Sequence, residues 1–413
     1  MVKRVAVIGT LNTKRAELGL IRQCLRKQGL ESLLIDISCL EYTQSSHEAN
    51  YAQADVALKA GLDLNEIFGL PLFKAAPRMS GGAYQILCEL IAEKKIHGCL
   101  GIGGANGTLM AAAVMENLPL GFPKAIISVM AAVDTRRLVS HTDIVMFNAI
   151  GDAVLNPVLE VIIDNAAAAL KGMTAAANLP VLPEMVGLTV LGVTDRCVSH
   201  CRAILDDKGY PSLLLHSNGP GGATLEKMVA RDFFWGVLDI TVNELVNNLL
   251  GGVFDAGPDR LEAALAKQLP LVISSGAADF VNFWGTQIPE QYRNRLFLRH
   301  NTQNTLMRTN VAENVMLGRC MAEKLNRAAA PVKVLIPAQG FSKYDHQDGP
   351  KGSGLDGRVI GTWHWPEADQ ALAAALRDGL RNPLVQVEVK EMHINEAVFA
   401  RELVNSLLAM HEK

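Results

Sequence analysis

A chain of 413 residues is longer than one ordinary hydrophobic core supports, so two domains are expected. With 49% hydrophobic residues, 20% charged residues and a formal net charge of -3, the composition is globular and gives no global attraction to nucleic acid or an anionic membrane. No apolar run approaches the ~20 residues needed to cross a bilayer, and "MVKRVAVIGT" lacks the apolar core and cleavage site of a signal peptide. The 7 cysteines form an odd set with no Cys-x-x-Cys pair, which points to buried thiols in a reducing, cytoplasmic setting.

Short apolar runs then recur along the chain with helix-length segments between them. The first set is "RVAVIG" (4–9), "SLLIDI" (32–37), "GCLGIG" (98–103) and "KAIISV" (124–129). These runs are apolar on both faces, as strands inside a parallel sheet must be. Between the first two, Leu18, Ile21 and Leu25 share one helical face, and Gly29 ends the helix. Residues 38–78 read as an insertion. After the proline-bearing "NLPVLPEM" (178–185) the series starts again. Residues 185–216 parallel 2–36, 218–241 parallel 79–103, and "LVISSGAADFV" (271–281) parallels "AIISVMAAVDT" (125–135). The expected fold is therefore α/β: two doubly wound parallel-sheet domains of the Rossmann or flavodoxin type, related by an internal repeat, with a cleft between them. The domains are placed at 1–178 and 179–413, the second carrying additional C-terminal strands and helices.

Ligands of open α/β sheets bind at the carboxyl ends of the strands. "GIGGANGT" offers Gly103, Gly104, Ala105, Asn106, Gly107 and Thr108 at such an end, where a helix start presents backbone N–H groups to an anion. A tight turn explains the same residues equally well; the motif is neither a P-loop nor a dinucleotide fingerprint. "IGTLNTK" adds Gly9, Thr10 and Lys14, the lysine either neutralising a phosphate or standing solvated on a first helical turn. Asp36 ends the second strand, where it meets a ribose hydroxyl or caps a turn. In the second domain, "SNGPGGAT" (217–224) brings Ser217, Gly221 and Gly222 to face the cleft or to hold a helix cap.

The C-terminal third holds more polar chemistry than a scaffold requires. Ser274, Ser275 and Asp279 lie beyond a strand, and His300 and Arg308 lie in a polar run after another. Gln339, Ser342, Asp345 and Asp348 sit on a flexible loop, followed by Glu391 and His393. A metal site from His300, His393 and Asp279 has no local ligand motif, and no metal ligand is assigned. A Ser342–His300–Asp279 hydrolase lacks the Gly-x-Ser-x-Gly elbow. "GTWHWPEAD" (361–369) reads as apolar packing as readily as ligand stacking.

Taken in order, "IGTLNTK", "GIGGANGT", "GPDRLEAA", "FVNFWG", "RHNTQNTLMRTNVAEN", "IPAQGFSKYD" and "KEMHINEAVFA" carry a resemblance over nearly the whole chain. The chain resembles the tomato mosaic virus resistance protein-like ATP-binding family, whose members have two Rossmann-like subdomains. The resemblance implies ATP as ligand and a homodimer. Asn12 stands where the family has an aspartate, which removes a carboxylate able to hold a magnesium ion beside ATP. Ala105 and Asn106 stand where the family's glycine loop has Ser and Gly. The expected function is an ATP-binding enzyme of small-molecule metabolism, with His300, Arg308 and Ser342 as catalytic candidates. Two rivals stand beside it: a nucleotide-binding regulatory or interaction protein without catalysis, and a hydrolase or lyase of a phosphorylated or carboxylated small molecule.

Overall fold

The apolar runs become the buried strands of parallel sheets. The structure, a computed structural model, describes residues 2–42, 48–139, 141–176, 182–285 and 287–411. The chain divides into two units, Met1–Val181 and Leu182–Lys413. The expected boundary at 178/179 lies outside the described residues.

The first unit contains β1 (Arg4–Gly9), β2 (Glu31–Asp36), β3 (Gly98–Gly103), β4 (Lys124–Ser128) and β5 (Val145–Asn148), all parallel in the order β2-β1-β3-β4-β5. Because side chains alternate along a strand, Val5 and Val7 enter one apolar cluster, and Ala6 and Ile8 the cluster on the opposite face. Helices Leu11–Lys27 and Pro157–Ala176 cover the first face, with Leu18, Ile21 and Leu25 fully buried as their spacing predicts. Each such side chain stabilises the fold by roughly 1.5–3 kcal/mol on burial. Gly29 follows the first helix at φ +72, a left-handed conformation that suits glycine at a helix end. The expected insertion is helical, with Gln53–Lys59 and Leu64–Gly69 preceding Leu72–Ala92.

The second unit contains β6 (Met185–Val190), β7 (Ser212–His216), β8 (Phe234–Thr241), β9 (Leu271–Gly276), β10 (Phe280–Trp284), β11 (Phe297–Arg299), β12 (Asn304–Arg308), β13 (Val332–Pro337), β14 (Lys351–Ser353), β15 (Val359–Thr362) and β16 (Val385–Lys390). Its parallel sheet runs β7-β6-β8-β9-β13-β16, which repeats the strand order of the first unit and adds one strand. This is the flavodoxin-type order, with its switch point between the first and third strands of each unit.

A second sheet, β10-β12-β11-β14-β15, is antiparallel and was not foreseen. The polar run 298–310, expected to lie beyond a strand end, instead carries the hairpin β11–β12, with Phe297 opposite Met307. The run 271–281 is likewise broken by Ala277 at φ +56, which lets the chain leave β9 and start β10. All 7 cysteines are free thiols. Among the described residues, no helix is long and apolar enough to cross a membrane.

Candidate functional site

The glycines after β3 do two different things. A Cβ on Gly101 would lie 2.8 Å from Ala111 Cβ, and one on Gly103 would lie 2.5 Å from the Gly107 carbonyl carbon. These two let helix Ala105–Met115 pack directly against its own strand. A Cβ on Gly104, by contrast, would meet no atom within 4 Å. Gly104 is the N-cap of that helix and supplies no side-chain cap; Ala105 and Asn106 are exposed and Gly107 is half-buried. Thr108 does not face outward: its buried hydroxyl donates to the Gly103 carbonyl (3.2 Å) and shares a 2.7 Å hydrogen bond with Ser128 Oγ.

The neighbouring candidates serve the fold. Gly9 passes so close to Leu18 that a Cβ would sit 2.7 Å from its Cδ2. Thr10 and Thr13 hydroxyls bond each other at 2.6 Å. Lys14 is buried, not solvated, and its ammonium donates to the Ala153 carbonyl. The ribose reading of Asp36 is overturned as well. Its buried carboxylate accepts from Leu11 N–H (3.2 Å), Ser38 N–H (3.0 Å), Ser38 Oγ (2.6 Å) and the Tyr42 hydroxyl.

In the second unit the loop 217–224 follows β7, the counterpart of β2, so it is not the topological equivalent of the loop after β3. It already encloses an anion, the carboxylate of Glu244. Glu244 Oε1 accepts from Gly219 N–H (2.8 Å) and Gly222 N–H (2.9 Å). A Cβ on Gly222 would fall 1.9 Å from Glu244 Oε2, and one on Gly221 would fall 1.8 Å from the His216 carbonyl oxygen. Ser217 is buried and donates to the Thr241 carbonyl (3.2 Å). Arg260, only 1% exposed, anchors the network by donating to Asp239 (2.5 and 2.7 Å), Glu244 (2.8 Å) and Glu226 (3.4 Å). Burial pushes the Glu244 and Glu226 carboxyls above their usual range, with Arg260 opposing. This loop is a structural clasp.

A second buried polar core lies under the antiparallel sheet. Asp279 Oδ2 accepts from Ser342 Oγ (2.7 Å) and Trp363 Nε1 (2.9 Å), while its Oδ1 is among the described buried atoms that lack a hydrogen-bond partner. Burial, and then the nearby Asp345, push Asp279 up to about 6. The catalytic candidates are corrected here. Arg308 is 1% exposed and donates to Asp369 Oδ1 (2.8 Å), Trp363 O (2.8 Å), Asp279 O (3.1 Å) and Thr309 Oγ1 (3.1 Å), so its fork has no open side for a ligand. Glu313 pairs with Arg295. Ser342 is fully buried and bonds Asp279 directly, without a histidine between them. His300 instead meets the Tyr344 hydroxyl at 2.8 Å, so neither the paper triad nor the His300–His393–Asp279 metal site is assembled. Among the described residues, no group of three or more His, Cys, Asp or Glu side chains is placed to hold a metal ion.

A cleft of about 1030 Å³ lies at the ends of β6, β13 and β16. Its polar lining includes Arg196, Lys343, His346, Asp348, His364 and His393. Helices Asp195–Asp207, Pro366–Gly379 and Ala397–His411 all begin at its edge. The loop after β13 reaches the turn after β6 through Lys343 N–H donating to Val193 O (3.0 Å). Its sharp bend requires Gly340, at φ +125, where a Cβ would lie 1.7 Å from the Asp345 carbonyl oxygen.

His393 is fixed within this wall. Its Nδ1 accepts from Asn395 N–H (3.1 Å), so Nε2 carries the proton and donates to the Ser342 carbonyl (3.0 Å). Burial lowers its pKa. His364 differs: Nδ1 lies 3.0 Å from Asp345 Oδ1, and its side chain keeps 23% exposure at the cleft. Sequence reasoning passed over Arg196, Lys343 and His346, and weighed His364 only as part of "GTWHWPEAD", as packing or ligand stacking. The available signal for His364 was its place directly before a helix that opens on Pro366.

These features define a tandem α/β protein in which both units carry a doubly wound parallel sheet of one strand order. The chain belongs to the uncharacterised protein family UPF0261, whose N-terminal domain matches residues 3–179 and whose C-terminal domain matches residues 183–411. It is 33% identical over 423 residues to a UPF0261 protein of Clostridium tetani, covering 100% of both chains. It is 35% identical over 412 residues to one of Rhizobium meliloti, covering 98% of each. It is also similar to the ToMV resistance protein Tm-1(GCR237) of Solanum lycopersicum, at 33% identity over 435 residues and 99% of this chain. The chain spans about half of that tomato protein, 56% of its length.

Proposed function

We propose that the chain is an ATP-binding enzyme of small-molecule metabolism. The first unit holds the phosphates of ATP at the start of helix Ala105–Met115, and the cleft of the second unit takes a small anionic substrate. One observation carries the nucleotide reading: Gly104 leaves open space before an uncapped helix start, whereas the glycine loop of the second unit is filled by Glu244. Backbone N–H groups of a helix start, with the positive end of its dipole, favour phosphate. ATP would supply a phosphoryl group; the chain's own contribution is the cradle at residues 104–107. A magnesium ion accompanying ATP would rest chiefly on phosphate oxygens and water, since Asn12 offers no carboxylate. The second unit's cleft supports the substrate reading through Arg196 and Lys343 and the helix starts along its edge.

Isothermal titration with ATP, beside circular dichroism, tests the nucleotide reading. Gly104→Val is expected to keep the fold, because the added atoms meet nothing, and to lose ATP binding. Unchanged affinity in the folded variant would remove the loop from the site. The chain is also proposed to be a homodimer; sedimentation equilibrium showing only a 44.6 kDa species at micromolar concentration would contradict that.

A further inference from the structure

We propose that His364 is the acid–base group of the second unit's cleft, with Asp345 as the residue that positions it. This rests on reading the cleft as a ligand site and adds the chemistry done there. Asp345 is fully buried, and its Oδ2 accepts from Phe341 N–H (3.1 Å) while its Oδ1 faces His364 Nδ1 at 3.0 Å and Arg308 Nη2 at 3.6 Å. Burial opposes ionisation of Asp345. Arg308, then hydrogen bonds from Asp369, Phe341 N–H and His364, outweigh it and hold the carboxyl below its usual range. Burial drives its neighbour Asp369 the other way, well above that range, with Arg308 opposing.

An ionised acceptor at Nδ1 fixes the tautomer of His364: Nδ1 bears the hydrogen and Nε2 keeps its lone pair for the cleft. No other histidine of the cleft wall is set up this way, among the described residues whose ring bonds are known. His393 has the opposite tautomer and both nitrogens engaged. Arg196 and Lys343 line the same cleft beside Asp195, Asp348 and Glu396, so the fitting substrate is a small molecule that offers a carboxylate or phosphate to the two cations and an ionisable hydroxyl to His364. In the step, the Nε2 lone pair forms an N–H bond with the hydroxyl proton. The O–H bond breaks, its electron pair stays on the ligand oxygen, and the imidazolium is stabilised by Asp345 until the proton returns.

Nitrogen-15 NMR of the histidine rings in the full chain tests this, with inorganic phosphate as the probe and His364→Gln assigning the resonance. The expected result is a wild-type His364 ring protonated at Nδ1, whose Nε2 signal moves on adding phosphate. Arg196→Ala should weaken that response about tenfold or more. Asp345→Asn should reduce the Nδ1-protonated fraction; if that variant does not fold, the wild-type tautomer decides the matter alone. An Nε2-protonated His364, or a ring unmoved while His346 responds, overturns the inference and leaves the cleft reading standing. No response at any cleft residue overturns both.

Discussion

The helix that follows the third strand exists twice in this molecule, and its two copies have opposite fates. In the first unit it begins at Gly104, with no capping side chain, exposed Ala105 and Asn106, and open space ahead of it. In the second unit, helix Asn243–Leu250 begins with buried polar side chains that close off the same position. Asn243 donates to the carbonyls of Ala277 and Phe280 at 2.8 Å each, and Glu244 fills the glycine loop next to it. One duplicated topology thus yields an exposed helix start at Gly104 and a buried one at Asn243, whose neighbour Glu244 turns its carboxylate to the Gly219 and Gly222 N–H groups at the start of helix Pro220–Ala230. The glycine-rich look of a loop does not tell which. What decides it is whether a neighbouring acid reaches the N–H groups.

The comparison breaks most severely at Arg260. Replacing it with methionine leaves Asp239, Glu244 and Glu226 without their buried cation, and is expected to destabilise the second unit by about 3–5 kcal/mol in urea unfolding. A loss under about 1 kcal/mol would mean that the clasp is not structural. Arg308→Ala, which strands Asp369 and Asp345, should fall in the same range of about 3–5 kcal/mol and lower the melting temperature while leaving ATP affinity unchanged. Weaker ATP binding at an unchanged melting temperature would return Arg308 to a ligand role.

The glycines sharpen the contrast. Gly222→Ala drives a Cβ into Glu244 and should cost about 1–3 kcal/mol or more in stability. Gly104→Ala has free space and should leave the melt within about 0.5 kcal/mol. Equal effects from the two substitutions would erase the difference between the loops.

A smaller effect is expected from pH. Asp279 holds its proton up to about 6 in the folded chain, against 3.8 ordinarily, so between these values the folded state binds more protons than the unfolded one. The stability from this group is therefore present below about 4 and is lost as the pH rises towards 6. Relative to wild type, Asp279→Asn should gain stability over that window, measured by urea unfolding at several pH values. A constant difference across the window would show that Asp279 does not titrate there.

The strands were legible because burial on both faces leaves continuous apolar runs; 4–9 and 98–103 coincide with β1 and β3 to the residue. The repeat was legible for the same reason. The antiparallel sheet was not, since its short strands carry polar residues such as Asn304 and Thr305 that are buried only by what packs over them. The candidate site was read in part. Gly104 was singled out as a nucleotide-loop residue, and the structure leaves open space at it; Asp36, Arg308 and Ser342 looked chemical only because a buried hydrogen-bonded network uses the same residue types as an active site. Their partners stand far off in the sequence: Arg308 meets Asp369, and Ser342 meets Asp279. No local motif marks such pairings, and His364 was hidden by the two tryptophans around it.

Hydrogen exchange with and without ATP tests the central contrast most directly, because both loops are read in one experiment. The account predicts that saturating ATP slows exchange of the backbone amides at 104–109 and leaves 217–224, whose Gly219 and Gly222 N–H groups are already bonded to Glu244, unchanged. Protection at 217–224 with none at 104–109 would contradict it.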